Sequence, residues 1–161
     1  MGFKSKITDK DDAAGMLARL GAVAKFGHRP SMQKIGNLWL AQVSASFATE
    51  TDPYGNPWAK LKRSTIKAKQ ESGAIRPNRR LFEFGELASS WGFSAGPKRV
   101  RIESSDDSEK VARHQYGGVG SDSGEPVPQR QILPDGNDLP PEWTAGVEEA
   151  FRDMVIYIEK G

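Results

Sequence analysis

The sequence predicts an α+β domain. A small antiparallel sheet packs against a long helix in the N-terminal half and a helix at the C-terminus, with long polar loops between them. Three observations lead there. Apolar residues recur at steps of three and four over 31–50 and again over 142–159, the period of a helix with one buried face. Val100 and Ile102 alternate with Arg99, Arg101 and Glu103, the period of a half-buried strand. The 161 residues hold 17 Gly and 10 Pro against 37% hydrophobic residues, which leaves room for a core and for long polar connections. The length suits one domain spanning 1–161.

Residues 1–10 read as a flexible arm. Asp11 and Asp12 precede Ala13, Ala14, Leu17 and Leu20, a short helical stripe that Gly21 is placed to stop. Gly27 to Pro30 form a break. Ser31 then stands where an N-cap belongs. The long helix after it carries the stripe Met32, Ile35, Leu38, Trp39, Val43 and Phe47 and runs to about Glu50. Gly36 inside it costs about 1 kcal/mol against Ala, so packing must outweigh that loss.

Residues 52–80 read as a basic, extended arm. It opens with Asp52-Pro53-Tyr54-Gly55-Asn56-Pro57, dense turn chemistry, followed by Trp58. A short basic helix over Ser64–Glu71 is expected within it, and Gly73 and Pro77 break the chain again. Leu81, Phe82, Phe84 and Leu87 suggest an apolar helix ending near Trp91. Trp91–Ser94 and Arg99–Ser104 then form two strands joined through Ala95-Gly96-Pro97. Ser108–Tyr116 reads as a short helix or an extended edge, with Asp106-Asp107 as a helix start. Residues 117–141 form a Gly/Pro-rich loop, with Arg130–Leu133 as a short strand inside it. Such length without structure is uncommon in a compact domain and points to function or disorder. Pro140 and Pro141 open the last helix, whose stripe is Trp143, Val147, Ala150, Phe151, Met154, Val155 and Ile158. Ile156 and Tyr157 fall off that stripe.

Several function classes drop out. No apolar run approaches the roughly 18 residues of a membrane-spanning helix, so no membrane role is expected. The absence of cysteine removes disulfides and thiol chemistry, and intracellular synthesis is the simplest reading. His28 and His114 alone do not make a zinc site. His114 has no candidate nucleophile near it in sequence, so no catalytic residues, metal or cofactor are assigned. Gly117–Gly124 resembles a phosphate cradle until Ser123 occupies the last required glycine position, so it reads as a flexible loop.

Charge is distributed unevenly. Lys60, Lys62, Arg63, Lys67, Lys69, Arg76, Arg79 and Arg80 face a single acid, Glu71, between 60 and 80, while acids dominate after Ser121. Three readings fit: two solvated faces, one copy's basic region meeting the next copy's acidic region, or nucleic-acid contact. Trp58 either fills its own core or enters a neighbour's pocket. Arg130 either clamps a carboxylate with a two-pronged hydrogen bond or stays solvated. Trp58, Lys62, Arg63, Arg79, Arg80 and Arg130 are therefore the candidate interface residues.

Four segments, in order, resemble the phage virion morphogenesis family, the tail-completion or head–tail joining proteins of Mu-like and related tailed phages. The first is Met32–Gly36, then Phe47, then Asp52-Pro53-Tyr54-Gly55-Asn56-Pro57-Trp58-Ala59-Lys60-Leu61. The second is Leu81–Ser90. The third is Ala112-Arg113-His114-Gln115-Tyr116-Gly117-Gly118, similar to the family's Tyr-Ala-x-x-His-Gln-x-Gly. The fourth is Val127-Pro128-Gln129-Arg130-Gln131-Ile132-Leu133, similar to its Pro-x-Arg-x-x-Leu. Phe82, Val111 and Gln131–Pro134 depart from the usual residues.

The resemblance implies a structural virion protein without cofactor, made in the bacterial host cytoplasm and placed at the head–tail junction. It implies self-association, a sixfold ring through which genomic DNA passes without sequence-specific binding, and contact with the connector and with tube or terminator proteins. A terminator capping the tail tube is the alternative within that class. A small nucleic-acid-binding protein using the basic 60–80 stretch is the rival from another class.

Overall fold

The computed structural model describes residues 10–120, 124–135 and 138–160. Six helices and two small antiparallel hairpins are found among them, an α+β arrangement. Its centre is helix α2, Arg29–Thr49. The last helix, α6 (Pro141–Lys160), lies along α2, and the first, α1 (Lys10–Phe26), packs on α6. The hairpin of β1 (Trp91–Ala95) and β2 (Val100–Ser104) also packs on α2.

Helix α1 does not stop at Gly21, which lies in helical backbone with open space around it. It stops at Gly27, where φ is +79° and a Cβ would sit 2.2 Å from the Pro97 carbonyl oxygen. Arg19 donates from Nε to the Ile158 carbonyl at 2.6 Å and from Nη2 to that of Glu159 at 3.1 Å. That puts a cation on the negative end of α6.

Ser31 is not the N-cap of α2. His28 holds that position without a side-chain cap bond, and Pro30 stands in the first turn. Ser31 lies one turn further in, buried, and donates to the Ala150 carbonyl at 3.0 Å. It therefore joins two helices rather than starting one. Gly36 and Gly146 set the packing distances. A Cβ on Gly36 would sit 2.2 Å from the Phe93 ring, and one on Gly146 would sit 3.2 Å from Leu38. Trp39 donates its indole N–H to the Trp143 carbonyl at 3.0 Å, with the two rings 5.7 Å apart.

The β1–β2 register pairs Phe93 with Ile102 and Ala95 with Val100. Val100 and Ile102 turn inward while Arg101 and Glu103 are exposed, as the alternation predicts.

Within the arm over 52–80, the expected basic helix is present as α3 (Arg63–Glu71). The apolar helix expected from Leu81 shrinks to α4, Glu86–Ser89. Leu81 at φ +50° and Gly85 at φ +95° turn the backbone out of a helix, and Phe84 ends up exposed. Helix α5 (Ser108–Tyr116) is capped by Asp107, whose carboxylate accepts from the Glu109 and Lys110 amides at 2.8 and 3.0 Å. Asp106-Asp107 is thus a helix start.

The 117–141 segment is more structured than its composition suggests. Gly118–Val119 (β3) pairs with Pro126–Val127 (β4). Residues 121–123 of the Gly-rich turn, like the arm over 1–9, lie outside the described residues. Arg130–Leu133 is not a strand. The Gln115 side chain supplies the acceptor that a neighbouring strand would supply, taking the Ile132 and Leu133 amides at 2.9 and 3.0 Å. Ile132 is fully buried beside Val43, Phe47, Trp58, Leu87 and Trp143, so this loop completes the core.

Helix α6 buries the expected stripe at Trp143, Ala150 and Ile158, half-buries Val147 and Met154, and departs from it at two positions. Trp143, Gly146, Ala150 and Ile158 are buried, whereas Phe151 and Val155 are exposed. The close approach of Leu38 to Gly146 selects that face.

A cationic cluster as candidate interface site

The chain leaves α2 through Glu50, which adopts a left-handed backbone at φ +58°. Its mostly buried carboxylate then serves as the anchor for the end of the basic arm. It accepts from the Arg80 amide at 2.6 Å and from the Arg80 guanidinium, and lies 3.5 Å from Arg79 Nε. Arg79 Nη2 reaches the carbonyls of Phe47 and Ala48, the latter at 3.0 Å. These are the last carbonyls of α2, where a cation complements the helix dipole.

Lys69 of α3 donates to the carbonyls of Arg79, at 2.7 Å, and Phe82. Burial lowers its pKa, with Arg130 adding to that effect and Glu83 and Glu50 opposing it. Arg130 is only 6% exposed. Its Nε donates to the Ala59 carbonyl at 3.0 Å and its amide to the His114 carbonyl at 2.7 Å. Burial lowers its pKa first, and repulsion from Arg80 second. Lys69, Arg79 and Arg80 thus gather around one carboxylate, Glu50, with Arg130 facing them, and all four rest on backbone carbonyls.

The six predicted interface residues separate into three groups. Arg79, Arg80 and Arg130 come together in this cluster. Lys62 and Arg63 lie apart at the exposed start of α3, where Lys62 pairs with Glu125 at 3.0 Å. Trp58 is 3% exposed, donates to the Gln131 carbonyl at 2.8 Å and meets Phe47 edge-on at 5.5 Å. Its indole fills its own core, so it is corrected from an available anchor to a core residue. Arg130 is neither solvated nor bound to a carboxylate of its own chain among the described residues.

Sequence reasoning missed Glu50, Lys69, Ala59 and Gln115. Glu50 is the one acid between Phe47 and Asp52, but the partners of Ala59 and Gln115 are set by the path of the 130–133 loop. That loop joins three of the quoted segments, through Trp58-Ala59, His114-Gln115 and Arg130-Gln131.

Beside the cluster lies a recess of about 270 Å³ lined by Asp107, Lys110, Arg113, His114 and Val127. The His114 Nδ1 is buried without a partner. Burial, then Arg130, Lys110 and Arg113, push the His114 pKa down to about 4. Asp106 opposes them. Among the described residues, no hydroxyl or thiol that a base would activate lines this recess.

Two helices expose several apolar side chains each among the described residues. Leu17, Leu20 and Phe26 are exposed on α1, and Phe151, Val155, Ile156 and Tyr157 on α6. No helix among the described residues is long and apolar enough to cross a membrane.

No curated protein and no solved structure matches the chain. The sequence pattern that defines the phage virion morphogenesis family matches residues 8–155, which include the cluster and every core residue but Ile158. The chain belongs to the phage virion morphogenesis family.

Proposed function

We propose that this virion protein completes the phage tail and joins it to the head-side connector, as a closed ring of copies with the genome passing through. The family is structural, and its members act by contact with other virion proteins. The observation that carries the reading is the pair of unlike surfaces on one chain. Lys60, Arg63 and Lys67 are exposed on or beside α3, while α6 exposes Glu142 and Glu148 together with Phe151 and Val155. A contact between two different patches of identical subunits closes into a ring when its rotation divides the circle. Opposite charges steer the encounter and buried apolar side chains hold it.

Electron microscopy of particles from a phage lacking this gene tests the proposal. Full heads beside finished, unattached tails are the expected result. Tails of uncontrolled length identify a terminator instead, and normal virions remove the reading. A nucleic-acid-binding role draws less support, because Lys69, Arg79, Arg80 and Arg130 fold inward onto carbonyls and Glu50. It predicts DNA affinity that falls steeply with salt.

A further inference from the structure

The cationic cluster is short of negative charge. Lys69, Arg79 and Arg80 interact with the carboxylate of Glu50, while Arg130 faces Arg80 and Lys69 and no carboxylate among the described residues. Three of them have strong reasons to be there. Arg79 ends α2, Arg80 is held by Glu50 through side chain and backbone, and Lys69 ties α3 to the chain at Arg79 and Phe82. Arg130 has less. It is 94% covered and donates one side-chain hydrogen bond, from Nε to Ala59. Its two terminal nitrogens donate to no group among the described residues, and they touch solvent, unlike the buried Nε atoms of Arg79 and Arg80. A covered cation facing other cations destabilises a fold unless an anion meets it. The fork of two N–H groups at the tip of a guanidinium fits a carboxylate in two parallel hydrogen bonds.

The same chain carries the complementary group. Glu148 is exposed on α6 and forms no ion pair among the described residues. By helical spacing it lies three residues before Phe151 and seven before Val155, on one strip of the helix. Both of those apolar residues are about half exposed, at 53% and 49%. A carboxylate flanked by uncovered apolar side chains is the composition of a contact surface, with a charge to fix register and apolar area to hold it.

We propose that Arg130 is the receiving site for a carboxylate of a second copy of this chain, and that Glu148 of α6 supplies it. This rests on the reading that the chain assembles on itself. A single side-chain carboxylate from an exposed helix face reaches a recessed guanidinium, whereas the phosphates of duplex DNA lie on a broad cylinder and meet exposed cations more readily. Each copy would give Glu148 and receive at Arg130, so the contact joins two different patches and propagates around a ring.

The test compares full-length parent, R130Q, R130K, E148Q and the R130Q/E148Q pair by sedimentation and native mass spectrometry over a range of concentrations. Each glutamine variant is expected to weaken self-association by about tenfold or more. The double variant is expected to be no worse than the singles, since both remove one contact. R130K is expected to recover part of the association, because it keeps the charge and loses the fork. The melting temperature separates this role from a purely structural one. At a concentration where the parent is monomeric, E148Q leaves it unchanged and R130Q changes it little, because the lost bond to the Ala59 carbonyl is offset by the lost repulsion from Arg80 and Lys69. Association untouched by E148Q, additive losses, or loss of fold and association together in R130Q overturns the inference. A duplex titration in which R130Q alone reduces the salt slope identifies a phosphate as the occupant and also overturns it. A parent chain that stays monomeric at every concentration overturns the assembly reading itself.

Discussion

Trp58 shows how much one side chain holds together at the residue scale. Its ring fills the core against Phe47, and its N–H closes the 130–133 loop through the Gln131 carbonyl. W58A is expected to cost about 3–5 kcal/mol in denaturant unfolding. W58F keeps most of the volume and leaves Gln131 without its donor, at about 1–3 kcal/mol. A loss under about 1 kcal/mol for W58A would return the indole to the surface. His114 makes a second prediction at this scale. Its pKa falls from 6.5 in the unfolded chain to about 4 in the fold. Between those values the unfolded chain binds more protons, so acidification through that window removes stability and stability is complete above it. The imidazole should titrate near 4 by NMR, and the difference in stability between parent and H114Q should shrink as pH falls from 6.5 to 4. A midpoint near 6.5 would contradict its burial among Arg130, Lys110 and Arg113. The turn over 52–57 and the cap at Asp107 were legible because both depend on neighbours a few residues away. The fates of Trp58 and Arg130 were not, because their acceptors lie 73 and 71 residues distant in sequence.

Among the elements, α2 and α1 offer a controlled pair of glycines. Gly36 is a contact point for Phe93, so G36A gains about 1 kcal/mol of helix propensity and loses about 1–3 to overpacking. A net loss is expected. G21A meets nothing within 4 Å and should stabilise α1 by about 0.5–1 kcal/mol. Thermal and denaturant unfolding read both, and a gain for G36A would show that Phe93 yields. The basic segment divides in the same way. K62E/R63E changes exposed residues and one surface ion pair, so its folded stability should stay within about 0.5 kcal/mol of parent. R79E/R80E places carboxylates against Glu50 and the α2 carbonyls and should unfold the segment, read as lost protection of the α2 C-terminus in hydrogen exchange. Equal stability of the two pairs would contradict the cluster. Long periodic elements were legible in the sequence: α2, α6 and the β1–β2 hairpin lie where their patterns place them. The shortened α4 and the exposure of Phe151 and Val155 on α6 were not, because left-handed backbone at Leu81 and the close approach at Gly146 depend on tertiary packing.

For the whole molecule, charge and apolar exposure belong together. The chain is nearly neutral at +2, yet its cations concentrate near α3 and its acids on α6, each beside surface that the fold leaves open. That division gives the proposed self-association two unlike surfaces. It was visible in sequence as an asymmetry, but which cations face outward became visible only once Lys69, Arg79, Arg80 and Arg130 were seen turned inward. The direct measurement is a reconstruction of the intact virion at its head–tail junction, resolved well enough to place this fold and count its copies. The account predicts a closed ring in which α6 of each copy covers the Arg130 face of the next. Density for the junction without this chain, or copies meeting through other faces, would contradict it.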